Sequence, residues 1–455
     1  LSSEKLKQTA IRNILKELDP HSSYIPAEDR VSANESLLGH FGGVGIRFMI
    51  LRDSLTVVDV IKGGPSEKQG IQKRDRIIKI NNDSVASTGL TNEDVLKKLK
   101  GKIGSKVLLT IKTAENKLVE KTLVRDVIKL KSVAAYDMID DRIGYIKLTT
   151  FSSSTDKEIV TALNSLKERG MSKLILDLRF NGGGYLHQAI HVADQFLDKH
   201  QMIVYTKGAH TKKESQFASE KGAFKSGELV ILVNSTTASA SEIVSGAIQD
   251  HKRGVIIGRR TFGKGLVQSP LMLEDSSEIR ITTSRYYTPS GRSIQKPYGD
   301  SINYEEDLFN RISNGELSNI DSVSKDQNKG GIWPDIFSPI DTVEYRSTLY
   351  NLIYSRAWRD YCFDYYEKKP TTTTSNIKRF YEQFRIEKND LNEFLKDRKI
   401  ETNIKPEEFN EFNKSMKLEL SSYYFSENAR YIISTFDDDD VKLAKEYFAN
   451  KELRQ

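Results

Sequence analysis

The sequence predicts an α/β core that follows a small β-rich module, with helical segments at both ends of the chain. Between residues 41 and 127, short apolar runs alternate with Gly, Pro, Asn and Asp, a pattern typical of short strands. Beyond residue 142, strand patterns alternate with helix patterns, which favours parallel pairing in a layered fold. After residue 341, Tyr, Phe, Lys and Glu recur at helical spacing.

The order of these patterns divides the chain into four predicted domains. Apolar residues at helix spacing, such as Ile11, Ile14 and Leu15, indicate a helical segment over 1–38. We expect a β-rich domain over 39–127, a core domain over 128–341 and a helical domain over 342–455. A chain of 455 residues is too long for one ordinary core, which agrees with several domains.

Individual elements follow from the apolar runs. In the β-rich domain the strands are predicted at 55–60, 76–80 and 107–111, with a helix at 92–99. In the core domain the strands are predicted at 143–148, 174–178 and 229–233, and the helices at 156–169, 186–197 and 240–248. Functional side chains are expected at the carboxyl ends of the core strands.

Composition excludes several classes of function. Charged residues make up 29% of the chain with a net charge of +6, and no basic stripe interleaved with aromatics indicates nucleic acid binding. Cys362 is the only cysteine, which excludes intrachain disulfides and cysteine-based metal clusters. The pair His187 and His191 lacks the intervening Glu of a His-Glu-x-x-His zinc site, so we expect surface histidines, no metal and no cofactor.

The first residues of the sequence predict that the chain has been trimmed. It begins at Leu1 rather than Met, and it has neither a signal-peptide apolar region nor an 18-residue apolar run. We therefore expect a trimmed product, with any targeting signal or membrane tether outside the printed sequence. A single cysteine leaves the cellular compartment open.

Small hydroxylated residues cluster between a predicted strand and a predicted helix within 233–250. Small side chains let a substrate backbone come close, and a helix N-terminus offers unpaired N–H groups and a positive dipole end to an oxyanion. Ser239 is therefore a candidate nucleophile. The alternative is structural, because Ser239 with Glu242 three residues later is also a capping-box pattern.

A lysine between two glycines, Lys264, lies in a run of apolar and small residues over 260–268. Flanking glycines indicate tight backbone geometry around it. A desolvated lysine loses its proton more easily and can act as general base for a serine hydroxyl. Without the serine cluster upstream, a solvated loop lysine would be the simpler interpretation.

A glycine triplet ends the strand at 174–178 and leads into a helix. Its backbone N–H groups can face a cleft, so Gly183 or Gly184 is expected to supply one oxyanion donor and Ala240 the other. Nucleotide-binding glycine spacings are missing, which argues against a phosphate site as the reason for the triplet.

Five separated segments then point to one family. They are Leu18-Asp-Pro-His-Ser-Ser-Tyr-Ile, Phe41-Gly-Gly-Val-Gly-Ile46, Asp177-Leu-Arg-Phe-Asn-Gly-Gly-Gly, Ala238-Ser-Ala-Ser-Glu-Ile, and Thr261-Phe-Gly-Lys-Gly-Leu-Val-Gln268 followed by Gly330-Gly-Ile-Trp-Pro-Asp335. Together they resemble the carboxy-terminal processing peptidases, the tail-specific protease family. The glycine turn reads Asn-Gly-Gly-Gly where the family often has Asn-Pro-Gly-Gly.

The resemblance implies roles for individual residues. Ser239 matches the nucleophile, Lys264 the base and Gln268 a glutamine that orients the lysine, with Ser241 as the neighbouring competitor for nucleophile. Asp250 matches an acidic position that some members need, and a polar helix end is its alternative role. The resemblance further implies a crotonase/ClpP-like core and a periplasmic or otherwise extracytoplasmic location, and it leaves a homo-oligomer open.

The β-rich domain resembles a PDZ domain. Its first strand is preceded by a glycine-rich segment like a carboxylate-binding loop, formed by Phe41, Gly42, Gly43, Val44, Gly45 and Ile46. Further landmarks are Gly63-Gly-Pro-Ser-Glu-Lys-Gln-Gly70 and Arg74-Asp-Arg-Ile-Ile-Lys-Ile-Asn-Asn82. Such a loop captures a free carboxylate, and the strand after it pairs with the bound peptide.

These features predict a serine endopeptidase that recognises the carboxy-terminal tails of protein substrates. One alternative is a catalytically silent scaffold that binds tails without cutting, although the complete set of Ser239, Lys264 and Gln268 argues against it. Another is an acyl-transfer or isomerase enzyme on a crotonase-like core, for which no acidic base is placed and a peptide-binding domain has no use.

Overall fold

The computed structural model describes residues 3–51, 54–299, 304, 306–319, 329–340, 351–372, 374–400 and 404–452. The chain divides into two compact units. The first, here called the core unit, contains Leu1–Gly39, Lys131–Thr342 and Thr435–Gln455. The second unit contains His40–Leu130 and Val343–Ser434. The predicted domain boundary at 341/342 lies outside the described residues.

The helices in chain order are α1 (Ser3–Leu18), α2 (Arg30–Leu38), α3 (Pro65–Lys68), α4 (Asn92–Leu99), α5 (Thr155–Glu168), α6 (Leu186–Asp194), α7 (Ala240–Asp250), α8 (Asp307–Ser313), α9 (Arg356–Lys368), α10 (Ile377–Gln383), α11 (Lys388–Asp397), α12 (Pro406–Tyr424), α13 (Glu427–Ser434) and α14 (Asp439–Glu452). Across the described residues, no helix has the length and apolar character needed to span a bilayer.

The strands in chain order are β1 (Ser23–Ile25), β2 (His40–Gly43), β3 (Ile46–Leu51), β4 (Ser54–Val60), β5 (Arg76–Ile80), β6 (Asp83–Ser84), β7 (Lys106–Lys112), β8 (Leu118–Val124), β9 (Asp126–Lys129), β10 (Val133–Met138), β11 (Ile143–Leu148), β12 (Lys173–Asp177), β13 (Met202–Lys207), β14 (Glu214–Phe217), β15 (Glu228–Val233), β16 (Val255–Gly258), β17 (Leu266–Met272), β18 (Glu278–Tyr287) and β19 (Ile336–Phe337).

The main sheet of the core unit has the strand order β10-β11-β12-β15-β16-β19. Strand β10 is antiparallel to β11, whereas the other neighbours are parallel. Strands β11 and β12 are buried at every position, as expected of parallel strands covered on both faces. Apolar residues of α5, α6 and α7 complete the same core, so the predicted strand and helix alternation is confirmed.

A second sheet of the core unit is antiparallel and is built around the β17–β18 hairpin. Strand β18 also pairs with β13 and with β1, where Ser23 lies opposite Arg280. The N-terminal segment is therefore helical in α1 and α2, while the strand between them ties it to the hairpin. Sequence analysis did not predict this hairpin or its pairing with residues 23–25.

The second unit contains the predicted β-rich domain. Strands β3-β4-β5-β7-β8 form one sheet, with β6 beside β5, and β2 pairs with β9 separately. Helix α4 begins at a capping box between Thr91 and Asp94. Apolar side chains of the strands and of α4, including Leu55, Ile77 and Leu109, form its own core.

The region after residue 350 is helical, as predicted. In the second unit, the ring of the buried Trp358 on α9 lies 5.3 Å from that of Phe394 on α11 and 5.0 Å from that of Phe412 on α12. Cys362 is buried on the same helix as a free thiol. Helix α14 belongs instead to the core unit and packs on β12, β15 and β16.

Candidate active site

A cavity of 690 Å³ in the core unit lies at the carboxyl ends of the main-sheet strands. Six of the seven residues predicted for catalysis and oxyanion binding line it: Ser239, Lys264, Gln268, Gly183, Gly184 and Ala240. Helix α2, the β17–β18 hairpin, the start of α6 and the residues after β11, Thr149 and Thr150, supply the remaining walls. The cavity therefore brings together residues from five separate segments of the chain.

Ser239 occupies the turn between strand β15 and helix α7. Its backbone is at φ 58° and ψ −116°, a conformation that residues other than glycine rarely adopt. Strained backbone of this kind persists where the surroundings fix it and is common at functional sites. The residue lines the cavity together with Tyr286.

Ser241, the neighbouring candidate, is placed differently. It is fully buried, and its hydroxyl donates a hydrogen bond of 3.1 Å to the carbonyl oxygen of Asn181. Its own carbonyl oxygen accepts a bond from the Ser245 hydroxyl. Of the two serines, only Ser239 reaches the cavity.

Glu242 joins the serine turn to the lysine loop. Its carboxylate accepts hydrogen bonds from the N–H groups of Ser239 at 2.7 Å, Gly263 at 2.7 Å and Lys264 at 2.9 Å. A fourth bond comes from the Thr261 hydroxyl. Burial raises the pKa of Glu242 to about 7, although these hydrogen bonds act to lower it. The capping-box residue therefore holds the two predicted catalytic segments together.

Lys264 is half-buried and is partly shielded from water by the packing of its loop. Burial lowers its pKa, and the charge of Arg280 lowers it further, while Glu242 and Asp19 act in the opposite direction. A methyl group on Gly265 would lie 2.5 Å from the backbone nitrogen of Gln295, so the glycine permits this close packing. The Tyr286 hydroxyl donates a hydrogen bond to the Lys264 carbonyl oxygen.

Gln268 is connected to the N-terminal turn. Its amide nitrogen donates a 3.3 Å hydrogen bond to the Thr282 hydroxyl, and the Thr282 N–H donates one of 3.1 Å to the Ser22 hydroxyl. Ser22 in turn donates to the Asp19 carboxylate at 2.5 Å. Across the described residues, no hydrogen bond joins Gln268 to Lys264. Sequence analysis gave no role to Asp19, Ser22 or Thr282.

His21 lies on the other side of the same turn. Its Nε2 is 2.7 Å from the Tyr304 hydroxyl, and the Tyr304 hydroxyl also accepts a bond from the Gln295 amide. Gln295 Oε1 accepts from the N–H of Gly265, next to the lysine. Burial lowers the pKa of His21 to about 4, helped by the charge of Lys264, so this histidine is neutral at pH 7. The polar Asp-Pro-His-Ser-Ser motif was the signal that could have placed these residues here.

The glycine turn packs directly on the serine turn. A methyl group on Gly183 would lie 2.7 Å from the Ser239 Cβ, and its φ of 102° also favours glycine. The Gly183 N–H donates to the side-chain oxygen of Asn181 at 2.9 Å. In the part of the chain that the structure describes, no hydrogen bond uses the N–H of Gly184 or of Ala240. The Gly182 N–H, in the same turn, also makes no hydrogen bond to a described residue, so the N–H groups of Gly182, Gly184 and Ala240 are available to an oxyanion.

Asp250 lies away from the cavity at the last residue of α7. At a rise of about 1.5 Å per residue, the helix separates it from Ser239 by about 16 Å. Its carboxylate accepts hydrogen bonds from the N–H of Ser290 at 2.9 Å and from Arg292. Burial acts to raise its pKa, but bonds from Thr288 and Ser290 and the Arg292 charge lower it overall. These contacts are those of a helix end anchored to the loop after β18, and its catalytic role stays a prediction.

The predicted carboxylate-binding loop lies in the second unit. Phe41 to Gly43 are part of β2, Ile46 begins β3, and buried Val44 accepts bonds from Ser66. Over the described ranges, the N–H groups of Val44 and Gly45 make no hydrogen bond. The ammonium of Lys100 lies 4.4 Å from the centre of the Phe41 ring.

The histidine pair on α6 shows no metal-site geometry. The rings of His187 and His191 are 6.4 Å apart and near perpendicular, and Tyr185 stacks on His187 at 5.1 Å. Within the described residues, no group of three or more His, Cys, Asp or Glu side chains is placed to hold a metal ion.

Comparison with known protein families finds one matching segment in each of the two units. The profile of Peptidase family S41 matches residues 142–302, and that of the PDZ domain matches residues 42–122. The chain is 38% identical over 298 residues to the carboxy-terminal-processing protease of Bartonella bacilliformis, covering 64% of this chain and 68% of that one. It is 36% identical to the carboxy-terminal processing protease CtpA of Bacillus subtilis, covering 64% of this chain and 62% of that protein.

A solved structure is also similar, the photosystem II D1 C-terminal processing protease, with 28% identity and a TM-score of 0.41 over 74% of this chain and 83% of that chain. The matched segment thus spans about two thirds of the length of the curated relatives. Both family profiles occur in one chain, in the order found by sequence analysis. The chain belongs to the carboxy-terminal-processing proteases of peptidase family S41, which are serine peptidases, and it carries a PDZ domain.

Proposed function

We propose that this chain is an endopeptidase in which Ser239 is the nucleophile and Lys264 the general base. The observation that carries the proposal is that both side chains line one cavity, with the serine at the N-terminus of α7 and the lysine half-buried, where burial lowers its pKa. Ser241 does not compete, because its hydroxyl is buried and bonded. Gln268 is proposed to orient the lysine once a substrate is bound.

The proposed reaction runs in two steps. Neutral Lys264 accepts the Ser239 proton while Oγ attacks the scissile carbonyl carbon, and the N–H groups of Gly184 and Ala240 stabilise the oxyanion. The lysine ammonium then protonates the leaving amine, which departs as the new N-terminus. A water molecule, deprotonated by Lys264, hydrolyses the acyl-enzyme and regenerates the serine.

Tail recognition is proposed for the PDZ domain. The free N–H groups of Val44 and Gly45 suit a terminal carboxylate, and strand β3 offers an edge for pairing with the peptide. Charge from Lys100 favours an anion near Phe41. Substitution of Lys100 by Glu should weaken binding of a tail peptide but not of its carboxy-terminal amide, measured by fluorescence anisotropy.

We also propose the fold type of the core, the domain division, the oligomeric state and the cellular location. We propose a crotonase/ClpP-like core and the division into four domains. A homo-oligomeric state is also a prediction, and light scattering can test it by measuring the mass in solution. An extracytoplasmic location rests on family membership, and cell fractionation tests it. We propose, also from family membership, that the substrates are proteins with free carboxy-terminal tails and that the protein can carry a membrane tether.

The test of the proposed function is cleavage of an unfolded model protein with an apolar free tail, across pH 6–10. Wild type should cut, with activity rising as the lysine deprotonates, at a lower pH than for an ordinary lysine because burial lowers its pKa. Ser239→Ala and Lys264→Ala should both be inactive. A wild type that binds the tail and cuts nothing would favour the tail-binding scaffold.

A further inference from the structure

The acidic run near the C-terminus, Asp437 to Asp440, returns to the core unit after the chain has passed through the second unit. Two of its carboxylates contact a single arginine of the glycine turn. Arg179 Nη1 lies 2.9 Å from both carboxylate oxygens of Asp438 and 2.8 Å from Asp440 Oδ2. Asp438 and Asp440 are therefore bound to the core unit, so the run is not simply a solvated tail.

Arg179 is itself tied to strand β12. Its guanidinium donates to the Asp177 carboxylate at 3.1 Å through Nε and 2.7 Å through Nη2. Lys147 pairs with the same carboxylate at 3.0 Å and donates to the Arg179 carbonyl oxygen at 2.6 Å. In the turn from β12 toward the glycines, the carbonyl oxygen of Arg179 is thus bound by Lys147, and its guanidinium is bound by Asp177.

The balance of charge shows why the acidic run is needed. The network contains three cations and three carboxylates, namely Lys147, Arg179 and Arg259 with Asp177, Asp438 and Asp440. Without the C-terminal pair, Asp177 alone would balance Lys147 and Arg179, and Arg259 would lose its carboxylate partner. Because uncompensated buried charge is costly, the turn would relax toward water.

Relaxation would reach the oxyanion donors through the backbone. Phe180, the residue after Arg179, has a φ of 61° that a non-glycine residue rarely adopts. Asn181 follows and holds the Gly183 N–H by its side chain, immediately before Gly184. A shift at Arg179 therefore moves the N–H of Gly184 relative to Ser239.

We propose that Asp438 and Asp440 are positioning residues for the oxyanion site, so that the core unit becomes fully active only when the C-terminal segment has docked on Arg179. This inference rests on the proposed peptidase function. It assigns a part of the chain for which sequence analysis found no role. The carboxylates act through the glycine turn and do not touch the substrate.

The test compares full-length Asp438→Asn and Asp440→Asn variants with a matched control, Asp439→Asn. Asp439 lies in the same run but is 74% exposed and pairs with Lys442 at the surface. We expect kcat for peptide cleavage to fall by about 10- to 100-fold in the two inner variants, as for a misplaced oxyanion donor, with KM within about twofold. Asp438→Glu, which keeps the charge, should recover part of the loss. The control should match wild type.

A second measurement separates this inference from the proposed function. Amide hydrogen exchange should become faster over residues 178–184 in Asp438→Asn, while strand β15 and the control variant stay as protected as wild type. This result needs no catalytic activity, so a wild type without peptidase activity would refute the function and leave this inference testable. Unchanged kcat, equal loss in Asp439→Asn, or exchange that rises uniformly across the core unit would overturn the positioning role.

Discussion

Replacement of Glu242 by glutamine tests the link between the serine turn and the lysine loop. A carboxyl whose pKa rises from its ordinary 4.5 to about 7 on folding binds its proton more tightly in the folded state. Stability therefore falls as pH rises from about 4.5 to 7, and at about 1.4 kcal/mol per pKa unit the loss comes to about 3 kcal/mol. A glutamine side chain at this position cannot ionise, so the Glu242→Gln variant should lack this loss.

The assay is urea unfolding followed by tryptophan fluorescence between pH 4.5 and 8. The chain has two tryptophans, and a Trp358→Phe background leaves Trp333, in the core unit, as the reporter. The difference in unfolding free energy between the wild type and the Glu242→Gln variant should change by about 3 kcal/mol across this range. Glu220→Gln, at an exposed carboxylate, is the control and should show a constant difference.

Parallel stability curves for the wild type and the Glu242→Gln variant would refute the reasoning, because they would mean that burial does not raise the pKa of this carboxyl. A constant offset of about 1–3 kcal/mol would be compatible with either view, since the amide leaves at least one N–H group without an acceptor. Only the pH dependence of the difference in unfolding free energy between the two proteins tests the raised pKa.

Three further outcomes follow from the same contacts. Gly183→Ala should lower kcat by about 100- to 1000-fold, because its methyl group would press on the nucleophile's Cβ, whereas Gly182→Ala, with open space at that position, should cleave normally in the same peptide assay. Thr282→Val removes the hydrogen-bond acceptor of Gln268 and should cost about tenfold in kcat, a fraction of the roughly 10²–10⁴ that a general base supplies, with a shifted pH–rate profile. Ser241→Ala should keep its activity and lose only about 1 kcal/mol of stability in urea unfolding; an inactive variant would reverse the assignment of the two serines.

Local sequence patterns predicted the elements that carry the candidate site. Apolar runs located β11, β12 and β15, because strands buried on both faces have no polar face to interrupt them. Small residues and flanking glycines located Ser239 and Lys264, since close packing there excludes larger side chains.

Contacts between distant segments could not be predicted in this way. The series of hydrogen bonds from Asp19 through Thr282 to Gln268 joins residues that are far apart in the chain, and the pairing of β1 with β18 brings them together. Arg179 and Asp438 are likewise 259 residues apart. Periodicity records which face of an element is buried and carries no information on which segment covers it.

The sequence also could not predict which N–H group of the glycine turn is free to bind an oxyanion. A glycine turn predicts exposed N–H groups, yet which N–H is free depends on the Asn181 side chain, and that bond exists only in the folded turn. Among the described residues of the two turns, the N–H groups of Gly182, Gly184 and Ala240 make no hydrogen bond and are left as available donors.

Covalent labelling of the nucleophile tests the central claim most directly. The full-length protein is incubated with a fluorophosphonate at about pH 8 and then digested, and the modified residue is located by tandem mass spectrometry; the lowered pKa of Lys264 increases its neutral fraction relative to an ordinary lysine. We expect one adduct on Ser239 that is strongly reduced in Lys264→Ala and retained in Ser241→Ala. An adduct on Ser241, or equal labelling of Ser239 with and without Lys264, would contradict the Ser239–Lys264 mechanism.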